Sequence, residues 1–177
     1  ARGNGYVPVT LQYRTYTAKA ARKVSMAGGD PLEDFTNRSY YGKTNTAANE
    51  EDLDMVFRTR EQMKDKPVIV SMTVKNPVVM SEMEPYADAI LTEFGVSAEA
   101  VLDVISGRFE PEGLLPLQMP ADMETVEEQA EDCAFDMRVY TDEEGHSYDF
   151  AFGMNYSGVI SDKRTDRYGR KKEMLDR

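Results

Sequence analysis

The sequence predicts an α/β fold, a three-layer sandwich with a mostly parallel sheet flanked by helices and a β-hairpin toward the carboxy terminus. Three observations lead there. Residues 67–74, PVIVSMTV, form an apolar, β-branched run with prolines at its borders, which reads as a buried strand. Residues 89–94, AILTEF, read as a second strand of the same kind. Helical patterns precede the first strand and follow the second, and that rhythm argues for parallel strands covered by helices.

The elements follow in chain order. Val7 to Tyr13 is β-prone and partly alternating, a short strand. Thr17 caps a helix over residues 18–26, which Gly28-Gly29 ends. Residues 27–48 are rich in turn formers and carry Phe35, Tyr40 and Tyr41; a loop this long in a compact domain is functional or disordered. Asn49 caps a helix whose first turn, Glu50-Glu51-Asp52, suits the helix dipole, and which runs to about Lys64 with Leu53, Val56 and Phe57 on one face. Ser97 caps a helix with apolar Ala98, Val101, Leu102 and Ile105, and Gly107 stands where a helix C′ residue belongs. Residues 114–119, LLPLQM, suit an edge strand, because Pro116 has no N–H for a ladder. Thr125 and Glu128 have capping-box spacing for a short acidic helix. Residues 135–140 and 147–152 flank Asp142-Glu143-Glu144-Gly145, a hairpin turn. Residues 1–160 thus form a single α/β domain and 161–177 a tail without an apolar face.

Bulk composition excludes several function classes. The net charge is −11, and because residues 163–177 hold seven Lys/Arg against three Asp/Glu, residues 1–162 carry −15. An acidic body repels phosphate backbones and anionic lipid, so neither a nucleic acid nor a membrane is expected as a partner. The short, mixed basic end reads as solvated or disordered. One cysteine, Cys133, excludes an internal disulfide and a Cys-rich zinc site, and the cytosol is the simplest compartment. The opening residues, ARGNGYVP, look like a cut end rather than a natural start.

Few residues could carry chemistry alone. His146, the single histidine, lies beside the 142–145 turn and reads as a solvent-exposed structural residue. Cys133 follows Glu131 and Asp132, whose charges would raise a thiol pKa and disfavour the nucleophilic thiolate. Gly28-Gly29 lacks the lysine and spacing of a phosphate loop. No metal or cofactor is expected. The long loop is more suggestive: Asp30, Glu33 and Asp34 lie near Asn37, Arg38, Tyr40 and Tyr41. Aromatic rings stack on sugar faces and Arg bonds hydroxyls, so Arg38, Tyr40 and Tyr41 suit substrate binding. The bland alternative is a flexible acidic loop.

An ordered set of segments resembles the carboxy-terminal α/β domain of glycoside hydrolase family 3, the β-glucosidase family. Lys66 to Met72, KPVIVSM, matches the family's strand, with Asn76-Pro77 in place of a later Arg-Pro pair. Ala87 to Leu91, ADAIL, with Phe94, matches the next strand and its aromatic. Ala100 to Gly107, AVLDVISG, matches a helix; Pro111 to Pro120, PEGLLPLQMP, matches the segment after it; Phe152 to Ser157, FGMNYS, matches an aromatic glycine segment. Residues 95–100, GVSAEA, depart from the family's usual glycine-rich turn. The resemblance covers about half of the chain and suggests a divergent bacterial branch.

The resemblance implies a fragment of a larger family 3 domain, from an enzyme that hydrolyses β-linked glycosides with retention using two carboxylates from two domains. The nucleophile would belong to an amino-terminal barrel not contained in these residues, so this chain would be inactive without it. The family's general acid/base lies in the loop corresponding to 27–48; Glu33 is the first candidate and Asp34 the second. The alternative class is a non-catalytic carbohydrate-binding or protein-interaction domain. A parallel strand with an open edge also leads to the expectation of a homodimer.

Overall fold

A computed structural model describes residues 12–24, 39, 41–45, 49–129 and 135–169 of the chain. The fold is α/β. Its centre is a parallel pair, β3 (Ile69–Thr73) and β4 (Ala89–Glu93), in register from Ile69 opposite Ala89 to Thr73 opposite Glu93. Two shorter antiparallel pairs accompany it: β1 (Tyr16–Thr17) with β2 (Thr44–Asn45), and a carboxy-terminal hairpin of β5 (Met154–Asn155) with β6 (Gly158–Val159). The helices are α1 (Glu50–Met63), α2 (Ala98–Ile105), α3 (Met123–Glu128) and α4 (Lys163–Tyr168).

The core lies on one face of the parallel pair. Leu53 and Val56 of α1 pack with Tyr13, Val74, Met80, Met83 and Met119, and Val70, Met72 and Ile90 close the cluster from the sheet side. Alternation explains the selection: Val70 and Met72 point one way, and Ile69, Ser71 and Thr73 point to solvent. The run 67–74, which reads as wholly buried in sequence, is therefore buried on one face only.

Helix α2 forms where its pattern places it. The Ser97 hydroxyl accepts from the Ala100 amide at 3.3 Å, and Gly107 takes the left-handed backbone, φ +75°, that ends the helix. Its apolar face is nonetheless uncovered, with Leu102 61% and Ile105 42% exposed. Asn49 precedes α1 as expected but makes no side-chain cap; Arg14 instead bridges Glu50 at 2.9 Å and Asp54 at 2.8 Å.

Three sequence expectations are corrected. Residues 18–24 are bends rather than the start of a helix, because their backbone groups are taken by tertiary partners described below; residues 25–26 of that expected helix lie outside the described residues. Tyr13 is not in a strand. It is buried, its amide donates to the Glu82 carboxylate at 3.0 Å, and its hydroxyl reaches the Met72 sulfur at 3.1 Å. Residues 7–11 lie outside the described residues. Helix α3 is capped by Asp122, whose carboxylate accepts from the Thr125 amide at 2.9 Å, so Thr125 sits inside the helix and its hydroxyl accepts from the Arg138 amide at 2.8 Å.

Residues 115–120 run extended but irregularly between two neighbours. Leu115 donates to Phe152 at 2.7 Å and accepts from Ala151 at 2.9 Å, Met119 donates to Tyr148 at 3.0 Å, and Pro120 bridges to Val139. The turn at 142–145 is present: the Asp142 amide donates to the His146 carbonyl at 3.1 Å and Thr141 bridges to Ser147. At the end, Asp162 and Thr165 form a reciprocal capping box for α4, and Arg164 donates to the Glu112 carbonyl at 2.9 Å, tying the helix to the body.

Candidate functional site

The long loop between Ala18 and Lys43 is closed at its base. Tyr16 pairs with Asn45 and Thr17 with Thr44, and the two threonine hydroxyls bond at 2.6 Å. The ladder extends one step further: the Ala18 amide donates to Lys43 at 3.1 Å, and the Gly42 amide, at φ +72°, donates to Ala18 at 2.8 Å. Both backbone groups of Ala18 are thus used across the stem, which removes it from any local helix.

Glu127 of α3 fastens this stem to the body. The residue is 4% exposed. Its Oε2 accepts from the Lys19 amide at 3.2 Å and from the Ala20 amide. Its Oε1 is buried with no hydrogen-bond partner among the described residues. Burial, and then the Glu127 carboxylate, push the Tyr16 hydroxyl well above the ordinary tyrosine pKa. Higher up the stem, the Ser39 hydroxyl donates to the Arg22 carbonyl. The sequence carries no signal for Glu127: α3 has six residues, too few to show a periodicity, and a buried glutamate is defined by its tertiary partners.

Of the residues singled out in sequence, Glu33, Asp34, Arg38 and Tyr40 lie outside the described residues, as does Cys133. Tyr41 is described and 45% exposed; its amide donates to the Ser39 hydroxyl at 3.1 Å, and the Lys23 ammonium stands 5.6 Å from its ring centre. The ring is therefore presented at the mouth of the stem, with a cation over it.

A second polar group surrounds the 142–145 turn. The Tyr140 hydroxyl donates to the Glu84 carboxylate at 2.7 Å, and the Tyr140, Tyr148 and Phe152 rings pack in sequence at 5.3 and 5.0 Å. Burial, then Glu84, raise both tyrosine hydroxyls, so they stay neutral donors. His146 is half-buried rather than solvent-exposed: its Nδ1 lies 3.0 Å from Asp142 Oδ2, and its ring stacks on Phe152 at 6.0 Å. Burial alone would raise the Asp142 carboxyl, but the His146 amide and imidazole and the Glu144 amide outweigh it and hold it below the ordinary range. This arrangement locks a turn.

The carboxyl ends of β3 and β4 are where ligands bind in open α/β sheets. Glu93 stands there. The Thr73 hydroxyl and the Val96 and Gly95 amides all donate to it and lower its pKa, so it is an ionised turn-holder rather than a proton donor. A cleft of about 310 Å³ lined by Leu114, Leu115, Pro116, Phe150, Ala151 and Tyr168 contains no carboxylate. Among the described residues, no three His, Cys, Asp or Glu side chains are grouped to hold a metal ion, and no helix is long and apolar enough to cross a membrane.

Known proteins resemble the chain over much of its length. The family model of the glycosyl hydrolase family 3 C-terminal domain matches residues 13–156. Beta-glucosidase C of Emericella nidulans is 39% identical over 84 residues, which span 48% of this chain and 14% of that protein. Probable beta-glucosidase C of Aspergillus flavus is 39% identical over 85 residues, 48% of this chain and 13% of that protein, and the same figures hold for its counterpart in Aspergillus oryzae. The match thus spans about one seventh of the length of these relatives. No solved structure matches the chain.

Proposed function

Because the chain belongs to the glycosyl hydrolase family 3 C-terminal domain family, matched over residues 13–156, we propose that it serves a retaining, β-glucosidase-like hydrolase of β-linked glycosides. The observation that supports this most is the long loop between Ala18 and Lys43, closed at its base by an antiparallel stem and anchored on α3. Such a closure is what a loop needs to present side chains to a second domain. In this reading Glu33, with Asp34 second, donates the proton to the leaving group. Arg38, Tyr40 and Tyr41 contact the sugar, and an amino-terminal barrel supplies the nucleophile.

Retaining hydrolysis needs two carboxyl groups about 5 Å apart across the glycosidic bond. With the nucleophile in the barrel, the isolated chain is expected to turn over no aryl β-glycoside. Hydrolysis that survives repurification and disappears on mutating one carboxylate of this chain would reject the two-domain assignment.

In the full-length enzyme, Glu33→Gln is expected to slow alkyl glycosides about 10²–10⁴-fold, the usual contribution of a general acid. Aryl glycosides with good leaving groups should be slowed far less, since they leave without a proton. An equal, small effect on both substrates would return Glu33 to a solvated loop. The uncovered face of β3 and α2 supports one further element of this reading, a two-fold homodimer of the isolated chain, tested below.

A further inference from the structure

We propose that α2 pairs antiparallel with the same helix of a second copy, in one register selected by charge. This rests on the homodimer proposed above and names its contact. Helix α2 carries Ala98, Val101, Leu102, Val104 and Ile105 within eight residues, yet none of its residues is buried. A helix this apolar belongs under a partner. The chain just beyond it stays at its end: the Arg108 and Phe109 amides both donate to the Asp103 carbonyl, at 2.9 and 3.2 Å, and the Tyr156 hydroxyl donates to the Phe109 carbonyl at 3.0 Å. Arg108 is thus held where α2 ends and Glu99 where it begins. Two copies of a helix related by a two-fold axis run antiparallel, so the start of one meets the end of the other. With the axis between Asp103 and Val104, Leu102 faces the partner's Ile105, the small Ala98 faces the partner's Phe109, and Glu99 faces the partner's Arg108. Each contact occurs twice. Glu99 forms no ion pair among the described residues, and the Arg108 side chain is 74% exposed while one nitrogen bonds Asp103 at 2.9 Å, leaving the rest of its fork for a second carboxylate. Registers centred on one apolar side chain fail. An axis at Leu102 sets Glu99 against the partner's Ile105, and an axis at Ile105 sets Leu102 against the partner's Arg108. The net charge of −11 on each copy opposes association at long range, but salt screens it beyond about 8 Å, so the facing pairs decide the register.

The test uses the whole 177-residue chain and reads its dissociation constant by sedimentation. Glu99→Arg places like charges against each other at both contacts across the axis, and so does Arg108→Glu. Each variant alone is expected to dimerise about tenfold more weakly than wild type, or worse. Mixed in equal amounts, the two variants meet opposite charges at both contacts, and the heterodimer is expected to bind within about threefold of wild type. A charge that acts only inside its own chain, as in the Asp103–Arg108 pair, cannot be rescued by mixing. A mixture no tighter than the separate variants therefore overturns the register. Should either reversal fail to fold, its glutamine counterpart, Glu99→Gln or Arg108→Gln, takes its place; mixing then keeps one attractive contact and is expected to gain about threefold over the remaining reversal alone. No gain there overturns the register as well. A wild-type dimer that neither reversal weakens refutes the register and leaves the homodimer standing. A wild-type chain that stays monomeric throughout the concentration series overturns both.

Discussion

Asp162 holds the start of α4 with a single side chain. Its Oδ1 accepts from the Arg164 amide at 2.7 Å, its Oδ2 faces the Arg164 guanidinium at 2.8 Å, and its own amide donates to Thr165 at 3.0 Å. The Arg164 side chain first, and its amide next, bring the carboxyl down to about 2. Because the folded pKa lies below the unfolded one, the stabilisation is fully present above the unfolded value near pH 4 and is lost as pH falls toward 2. Urea titrations between pH 5 and 2.5 should show this decline. In Asp162→Asn the decline should be shallower, with lower stability at pH 5; an unchanged slope would show that other carboxyls dominate. Asp142 adds to the same acid limb, since its depressed pKa has the same sign. None of these pairings is legible in sequence: residues 161–177 show no sustained apolar face to announce α4, and the pairings depend on side-chain reach in the folded chain. The Asp142-x-x-Gly145 turn was readable, but the reach of its carboxylate to the His146 ring was not, because that depends on how far the turn sinks against Phe152.

At the scale of elements, the segments that could be read in advance are those whose signal is local. The runs around Ile69 and Ala89 are apolar and β-branched, and Ser97 and Gly107 bracket α2 by their own conformational preferences. The stem of β1 and β2 was invisible, since two-residue strands show no alternation and their partners lie 27 residues apart at Thr17 and Thr44. Residues 18–24 looked helical because alanine and lysine favour helix, and the Lys43 and Glu127 contacts override that preference. Of the expected loop over 27–48, residues 44–45 form a strand and most of the rest lies outside the described residues, and the Glu127 contact to Lys19 and Ala20 has no local sequence signal. Gly153 shows how closely the carboxy-terminal segments meet. A Cβ there would sit 2.2 Å from the Gly113 carbonyl oxygen and 3.0 Å from a Leu114 methyl, so Gly153→Ala must push the 113–115 segment off Ala151 and Phe152. Overpacking of this kind typically costs about 1–3 kcal/mol. Gly107→Ala meets open space and is strained only by its left-handed backbone, about 1–2 kcal/mol. Chemical denaturation of the two variants should rank Gly153→Ala as no less damaging; the reverse order would mean that the 113–115 segment yields freely.

At the scale of the molecule, the apolar surface is uneven. Leu102 and Ile105 of α2, Phe109 beyond it, and Tyr156, whose hydroxyl donates to the Val104 and Phe109 carbonyls, are all exposed and joined in one area. Ile69 adds a 43% exposed side chain on the open face of β3. Contiguous apolar exposure of this kind marks an interaction surface. In a longer polypeptide other parts of the chain would be available to cover it. In the isolated chain a second copy is the available cover, and light scattering should give about twice the 20.0 kDa chain mass at micromolar concentrations. Leu102→Asp is expected to return the monomer with the fold intact. A wild-type mass of one chain throughout the concentration series would reject the dimer.

The closed stem also changes what chain length costs. The ends of the segment between Ala18 and Lys43 are already held together, so the entropy of bringing them into contact is met by the stem and not by whatever lies inside. That entropy grows only with the logarithm of the number of residues, about 0.6 kcal/mol for each doubling. The tip can therefore lengthen, shorten or exchange its sequence with little thermodynamic penalty, while Glu127 keeps the point of departure constant. Whatever side chains the tip carries become interchangeable parts on a fixed mount, exchanged by insertion and deletion without repacking the core.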